Sequence, residues 1–487
     1  MKKTIAFLLS AGLVLSVTGC SGKNPETASG VQGIEETGNQ TQEGPGVQAD
    51  VPQSGSFDAA ADVAGTTDGG TESPGGLRIL ASMDMEGCHT KDGYYYQTFE
   101  TARLSDGSYG SHLMYMDFAA GQEVYLCSNA GCTHDSPDCT SVLLHDEFHI
   151  GGTLLFIWQD SLYLLTKMPD NDGTMFTSFD WADASSRDSD IESSSAQLYR
   201  VNLDGTGREK VYTFDASLTL EDLVLGDENG IYVVEKKITA EKSGEDTYYN
   251  ATERWLACVD VAKGTEQKVC SMDFEGYVSW QLKGCYGRTL VLEGTDYGRE
   301  VSNEEIFSDD DYYEALYDNS RQVFATFALD HPQLEIKYSY ANQYGNCGLV
   351  DGNMLYTSVV DGSIRAIDLS SGEVREICRH SGGSYPQRRI GNKLCCSSIY
   401  GGNTFDYIDI DTGEISNSPL ANISMGSYLE FIAVLDTDVL VIYDCDATAN
   451  GDGSYEINSY QYGLISHEDL FAGNANYRKI KMAGKGI

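Results

Sequence analysis

The stretch Asp351-Gly352-Asn353-Met354-Leu355-Tyr356, followed by Ile367-Asp368-Leu369 and a second Gly-bearing turn at Ser371-Gly372, decides the fold class. Its first half is a tight turn that runs into an apolar and aromatic strand. Its second half is an apolar, acidic, apolar triplet that runs into another turn. Glycine, Asp and Asn supply the positive φ that tight hairpin turns demand, and Tyr, Val, Leu and Ile in alternation suit half-buried strands. The pair therefore predicts two hairpins, which make one four-stranded sheet.

Both halves recur through the chain. The first stands also at Asp92-Gly93-Tyr94-Tyr95, Asp160-Ser161-Leu162-Tyr163, Asn229-Gly230-Ile231-Tyr232, Tyr286-Gly287-Arg288-Thr289-Leu290, Ile390-Gly391-Asn392-Lys393-Leu394 and Asp436-Thr437-Asp438-Val439-Leu440. The second stands at Met116-Asp117-Phe118, Val201-Asn202-Leu203, Val259-Asp260-Val261 and Ile408-Asp409-Ile410, with a worn copy at Ala328-Leu329-Asp330. A lone sheet of this kind has two apolar faces and cannot bury them, whereas sheets packed radially bury both and leave only short edges. The expectation is an all-β chain with a single β-propeller over 77–487, built of seven four-stranded blades. Because the first and fourth units are degenerate, six or eight stay open. Polar inserts at Pro169 to Ala196, Lys237 to Thr252 and Asp296 to Arg321 are expected as loops. Leu77 to Met83 and Tyr477 to Met482 are the candidate strands to close the ring.

The N-terminus has a different logic. Lys2 and Lys3 precede the apolar run Ile5 to Val17, the layout of a secretory signal peptide and too short to span a bilayer. Val17-Thr18-Gly19-Cys20 resembles the lipobox of bacterial lipoproteins, so 1–19 reads as a cleaved leader and Cys20 as the lipidated first residue of the mature chain. Two acyl chains anchor stably where one is marginal. The span 20–76 is rich in Gly, Ser, Thr, Glu and Gln with almost no large apolar residue, the composition of a disordered linker, with an r.m.s. reach of about 40 Å. The expected location is the cell membrane, lipid-anchored, on its extracellular face.

Asp and Glu number 74 against 32 Lys and Arg, a formal charge of −42. Nucleic acid needs a basic footprint, and this balance excludes it as a partner. The excess serves solubility and names no ligand.

The run Leu198-Tyr199-Arg200-Val201-Asn202-Leu203-Asp204-Gly205-Thr206-Gly207 resembles the repeats of low-density-lipoprotein-receptor-like (YWTD-type) β-propellers. With the lipobox and the run Cys127-Ser128-Asn129-Ala130-Gly131-Cys132-Thr133-His134-Asp135-Ser136-Pro137-Asp138-Cys139, the chain from Leu77 onward resembles the propeller lipoproteins of anaerobic Gram-positive gut bacteria. The resemblance implies fold and location and carries no assigned activity.

Cys127, Cys132, His134 and Cys139 are the sharpest constellation of side chains. Three thiols and an imidazole make a complete tetrahedral donor set for structural zinc if the chain turns at Gly131 and Pro137. The spacing C-x4-C-x-H-x4-C departs from that of a zinc knuckle, and a disulfide or free thiols stand as alternatives. A set of four protein ligands leaves no position for water, so a bound ion would pin the loop without doing chemistry. His89, His145 and His149 read as surface or packing residues. The scattered Cys258, Cys270, Cys285, Cys347, Cys378, Cys395, Cys396 and Cys445 lie in or beside apolar strand patterns and read as small buried hydrophobes, with disulfides as the alternative.

The acidic loop Asp446 to Glu456 falls one residue short of a calcium loop and reads as a solvated hairpin. No nucleophile elbow, zincin helix, phosphate loop or dinucleotide fingerprint is present, and no residue is named catalytic. The sequence favours a non-enzymatic surface module that binds a glycan, peptide or protein. The alternative is an extracellular hydrolase or lyase acting on polysaccharide or peptide through acids gathered at the central channel.

Overall fold

The structure is a computed structural model that describes residues 75–82, 87–148, 152–166, 195–243, 246–301, 316–342, 347–359, 361–380, 384–398, 403–422, 424–449 and 455–484. The leader, Cys20, the linker to residue 74 and most of the inserts at 169–196 and 296–321 lie outside these residues.

Seven four-stranded antiparallel sheets follow one another in chain order. From innermost to outermost strand, blade 1 runs from Gly87–His89 to Gln122–Tyr125, blade 2 from Thr153–Trp158 to Glu209–Thr213, and blade 3 from Val224–Gly226 to Thr265–Ser271. Blade 4 runs from Val278–Tyr286 to His331–Ala341 and blade 5 from Cys347–Asp351 to Val374–Arg379. Blade 6 runs from Ser384–Ile390 to Ile415–Asn417, and blade 7 from Glu430–Val434 to Arg478–Lys479. Each of the seven turn-and-strand motifs forms the connection between a blade's first and second strands. The triplets, including the worn copy at Ala328-Leu329-Asp330, form the third-to-fourth turns of blades 1 to 6. Gly352 and Gly372 sit at φ 57 and φ 77 in the two turns of blade 5, a region open to glycine at little cost. Blade 7 has a helix at this place instead, α1 (His467–Ala472), capped by the Ser466 side chain and by Gly473 at φ 73.

Alternation along the strands packs blade on blade. In the second strand of blade 3, Ile231 and Val233 join Phe156, Trp158 and Leu198 of blade 2, whereas Tyr232 and Val234 join Leu290, Leu292 and Phe327 of blade 4. Both faces are thus buried, at about 1.5–3 kcal/mol for each large apolar side chain.

Two expectations need correction. Lys237 to Thr252 is not a loop: it continues the strands Ile231–Ser243 and Asp246–Asp260, paired as far as Ser243↔Asp246. Set against Met354–Ser358 in blade 5, this hairpin is longer by about eight residues, or roughly 25 Å. Backbone pairing holds the ladder, and near its base Lys237 Nζ meets Glu253 Oε1 (3.3 Å) and Thr252 Oγ1 donates to Lys237 O (3.1 Å). The N-terminal strand Arg78–Ala81 also does not close the ring. It pairs antiparallel with the short inner strand Val224–Gly226, where Leu80 and Ala81 pack towards blade 2 and Leu77 and Ile79 towards blade 4. The three-residue inner strand of blade 3 leaves an edge at the axis, and this apolar segment covers it.

The C-terminal candidate does join the ring's ends. Arg478–Lys479 is the outer strand of blade 7, and the chain then crosses to blade 1. Lys481 N donates to Gly121 O (2.9 Å) and accepts at its carbonyl from Glu123 N (2.8 Å). The buried Glu123 carboxylate accepts from Ala483 N (2.8 Å), Gly484 N (3.0 Å) and the Tyr96 hydroxyl. Beside this clasp, Tyr94, Met114 and Met116 of blade 1 pack against Leu440, Tyr462 and Leu464 of blade 7.

Strand direction alternates, so the first-to-second and third-to-fourth turns of every blade emerge on one face. The second-to-third loops and the links between blades emerge on the other. Leu77 N bonds Gly287 O (2.6 Å), which lies in a first-to-second turn, so the N-terminal segment enters the axis from the tight-turn face. The long hairpin of blade 3 stands on the opposite, loop-bearing face.

Candidate metal centre

The link from blade 1 to blade 2 carries the Cys and His constellation. Cys127 follows the last strand of blade 1, and its N–H donates to Tyr125 O (2.7 Å), which folds the chain back at once. Cys132 N bonds Asn129 O (3.2 Å) across a turn with Gly131 at φ 74. His134 sits at φ 59, in the left-handed region that costs a non-glycine residue strain. Cys139 N donates to Ser136 O (2.9 Å), and Val142 N to Cys139 O (3.0 Å), where Val142–Leu144 begins and pairs with the third strand of blade 1.

These turns bring the three Sγ atoms and one imidazole nitrogen within 4.8 Å of one another. His134 Nδ1 lies 3.4 Å from Cys139 Sγ. Tetrahedral ligands about 2.3 Å from an ion stand about 3.8 Å apart, so the four atoms are within about 1 Å of a closed shell. The centre can hold a metal ion. It is the one such group of three or more His, Cys, Asp or Glu donors among the described residues.

Residues outside the motif hold it in place. The Tyr125 ring stacks on the His134 imidazole (centroids 4.3 Å apart, planes 13°). His112, on the third strand of blade 1, donates from Nε2 to His134 O (2.8 Å) and meets Tyr125 edge-on (5.0 Å). It thereby fixes the strained backbone of the ligand. Ser141 Oγ lies 3.1 Å from Cys139 Sγ, and Ser105 N bonds Asp135 O (2.7 Å). Arg208 of blade 2 reaches back to Val142 O (2.9 Å), tying the loop to the next blade. Local spacing could not reveal His112, because only strand register brings it to the loop.

Without an ion, the thiols differ. Burial raises the Cys127 thiol, but hydrogen bonds from the Asn129 backbone, the Thr140 side chain and the neighbouring thiols outweigh it and lower its pKa. Burial pushes Cys139 up to about 11. Burial and the adjacent His112 lower His134, which favours the neutral imidazole that ligates metals. A divalent cation would draw all three thiols to thiolate.

The other candidates separate from this site. His89 is buried and His145 half-buried away from the cluster, and His149 lies outside the described residues. The eleven cysteines whose side chains are described are thiols, and Cys88, Cys258, Cys285, Cys395, Cys396 and Cys445 are buried. Of the calcium-like segment, Asp446 to Ala449 and Tyr455 to Glu456 belong to the paired strands Asp438–Ala449 and Tyr455–Ser466, and 450–454 lie outside the described residues.

No family profile matches the chain, and no curated relative does. Solved structures resemble it at low identity. TolB from Acinetobacter baumannii is 13% identical over 79% of this chain and 77% of its own, with a TM-score of 0.31. An oligogalacturonate lyase from Vibrio parahaemolyticus is 11% identical over 85% of this chain and 100% of its own (TM-score 0.41). A manganese-bound oligogalacturonate lyase is 12% identical over 75% of this chain and 84% of its own (TM-score 0.36). These likenesses concern fold alone.

Proposed function

We propose that this chain is a cell-surface propeller, anchored to the membrane through a lipidated Cys20, that captures a glycan, peptide or protein on its loop-bearing face. Zinc bound by Cys127, Cys132, His134 and Cys139 is a structural part of that face. The observation that carries the reading is the entry of Leu77 to Ala81 along the axis from the tight-turn face. A tether that leaves there points towards the membrane, and the loops and the blade 3 hairpin point away from it. The same strand fills blade 3's place at the axis with Leu77, Leu80 and Ala81, apolar residues where a channel enzyme would gather acids. Three sulfurs and a nitrogen suit zinc, and a shell with no open position suits a structural role.

The test is a glycan and peptide array probed with the mature protein, each hit assayed for turnover as well as retention. Shortening the blade 3 hairpin to a two-residue turn at Lys237 should abolish retention of the hit. Retention that survives this change, but falls when tight-turn residues such as Asp411 or Ser370 are replaced, would place the binding face on the wrong side.

A further inference from the structure

A second constellation lies on the loop-bearing face, at the junction of blades 5 and 6. His380 ends the outer strand of blade 5, Ser384 opens the inner strand of blade 6, and Asp406 opens its third strand. Ser384 Oγ lies 3.2 Å from His380 Nδ1, and His380 Nε2 lies 3.0 Å from Asp406 Oδ2. A carboxylate can only accept, so Nε2 carries the proton of the neutral ring. Nδ1 is then the bare nitrogen, and the serine hydroxyl donates to it. We infer that Ser384, His380 and Asp406 form a nucleophile, base and orienting acid, and that the propeller accepts acyl groups from carboxylic esters bound on its loop face.

Each member is held from a separate place. The other Asp406 oxygen accepts from Asn417 Nδ2 (3.1 Å), which fixes the carboxylate plane. The His380 backbone N–H donates to Gly362 O (2.7 Å). Gly362 sits at φ +81, and a Cβ there would lie 2.7 Å from His380 O, so the approach that seats the histidine requires glycine. The Ser384 residue is 2% exposed, whereas the side chains of His380 and Asp406 are 18% and 22% exposed.

The chemistry balances with water as the only co-reactant. Ser384 Oγ bonds the ester carbonyl carbon while its proton passes to Nδ1, and Asp406 stabilises the imidazolium. The carbon to alkoxide bond then breaks, the alkoxide takes the proton from Nδ1, and acyl-Ser384 remains. Water attacks that ester, gives a proton to Nδ1 and becomes the new acid's hydroxyl, and the proton returns to Oγ as the acyl bond breaks. Ser384 and His380 are the catalytic residues; Asp406 and Asn417 are positioning residues. Nothing in the step uses the metal centre. Sequence alone gives no sign of the set, because no nucleophile elbow surrounds Ser384 and the three residues meet only through blade packing.

The test treats the full mature protein with a fluorophosphonate probe and maps the adduct by mass spectrometry. The expected result is one adduct on Ser384, absent from heat-denatured protein and from Ser384→Ala, and formed at least about 100-fold more slowly in His380→Ala. Asp406→Asn should slow it less, without changing the melting temperature by more than the loss of one hydrogen bond does. No adduct on native protein, or one that forms at the same rate in His380→Ala, overturns the proposal. Should Ser384→Ala fail to fold, Ser384→Cys replaces it. A thiol alkylated by iodoacetamide much faster with His380 than without it supports the base, and equal rates refute it.

Discussion

Glutamine in place of Glu235 should stabilise the protein at pH 8 and leave it unchanged at pH 4. Glu235 lies on the second strand of blade 3, fully buried and turned towards blade 2. The Trp255 indole donates to one of its oxygens, and the other finds no donor. Glu266 lies beside it on the outer strand and accepts from the Tyr212 hydroxyl of blade 2 (3.1 Å), and the Lys268 ammonium lies over the Trp255 ring, 3.2 Å from its centroid. Burial, then the neighbouring Glu266, push Glu235 from its ordinary value near 4.5 up to about 7, against smaller opposing effects of Trp255 and Lys268. The folded state thus holds a proton that the unfolded chain releases. Stability from this group is complete below about pH 4.5 and falls as pH rises through 7, by about 3 kcal/mol once Glu235 ionises. Glutamine imitates the protonated acid: its amide donates to Glu266 and its carbonyl accepts from Trp255. For a folded part of about 400 residues, 3 kcal/mol corresponds to about 4 °C in Tm. Calorimetric melts of parent and Glu235→Gln at pH 4, 6 and 8 should therefore diverge by about that much at pH 8 and coincide at pH 4. A difference that stays constant across the series would refute the raised Glu235 pKa as its cause.

Two further outcomes are expected. Glu123→Ala leaves the buried Tyr96 hydroxyl without an acceptor and gives the exposed amides of Ala483 and Gly484 over to water, so denaturant unfolding should show a loss of roughly 1–3 kcal/mol; no measurable loss would mean that the C-terminal clasp does not close the ring. Cys20→Ala should abolish incorporation of a palmitate analogue in cells and release or strand the protein, and equal labelling of parent and variant would remove the anchor.

What the sequence reveals of the fold follows from what turns require. A tight turn needs either a residue that takes positive φ, as Gly287, Gly352 and Gly391 do, or a side chain that accepts from the turn's own N–H groups, as Thr90 and Asp227 do, so the first-to-second connections carry a readable motif, although in blade 2 Gln159 takes the positive φ (53); even the degenerate Ala328-Leu329-Asp330 marks its turn correctly. Blade 7 has no triplet because α1 makes the connection there. The blade 3 hairpin escapes because Lys237 to Thr252 has no alternation, while pairing depends on backbone groups that every residue has. Leu77 to Ala81 is legible as a strand, but not its partner: Val224–Gly226 is the inner strand of a blade far along the chain, and only the closed ring brings its edge to the N-terminal segment. The metal donors share one loop and show in their spacing, whereas His112 reaches His134 through register, and Ser384, His380 and Asp406 meet through the packing of two blades.

The metal centre is tested most directly by elemental analysis of the protein purified anaerobically without chelator, beside thiol counting on the unfolded chain. One equivalent of zinc per chain, lost in both Cys132→Ser and His134→Ala, is the expected result. Metal-free protein with two of Cys127, Cys132 and Cys139 oxidised to a disulfide would contradict it.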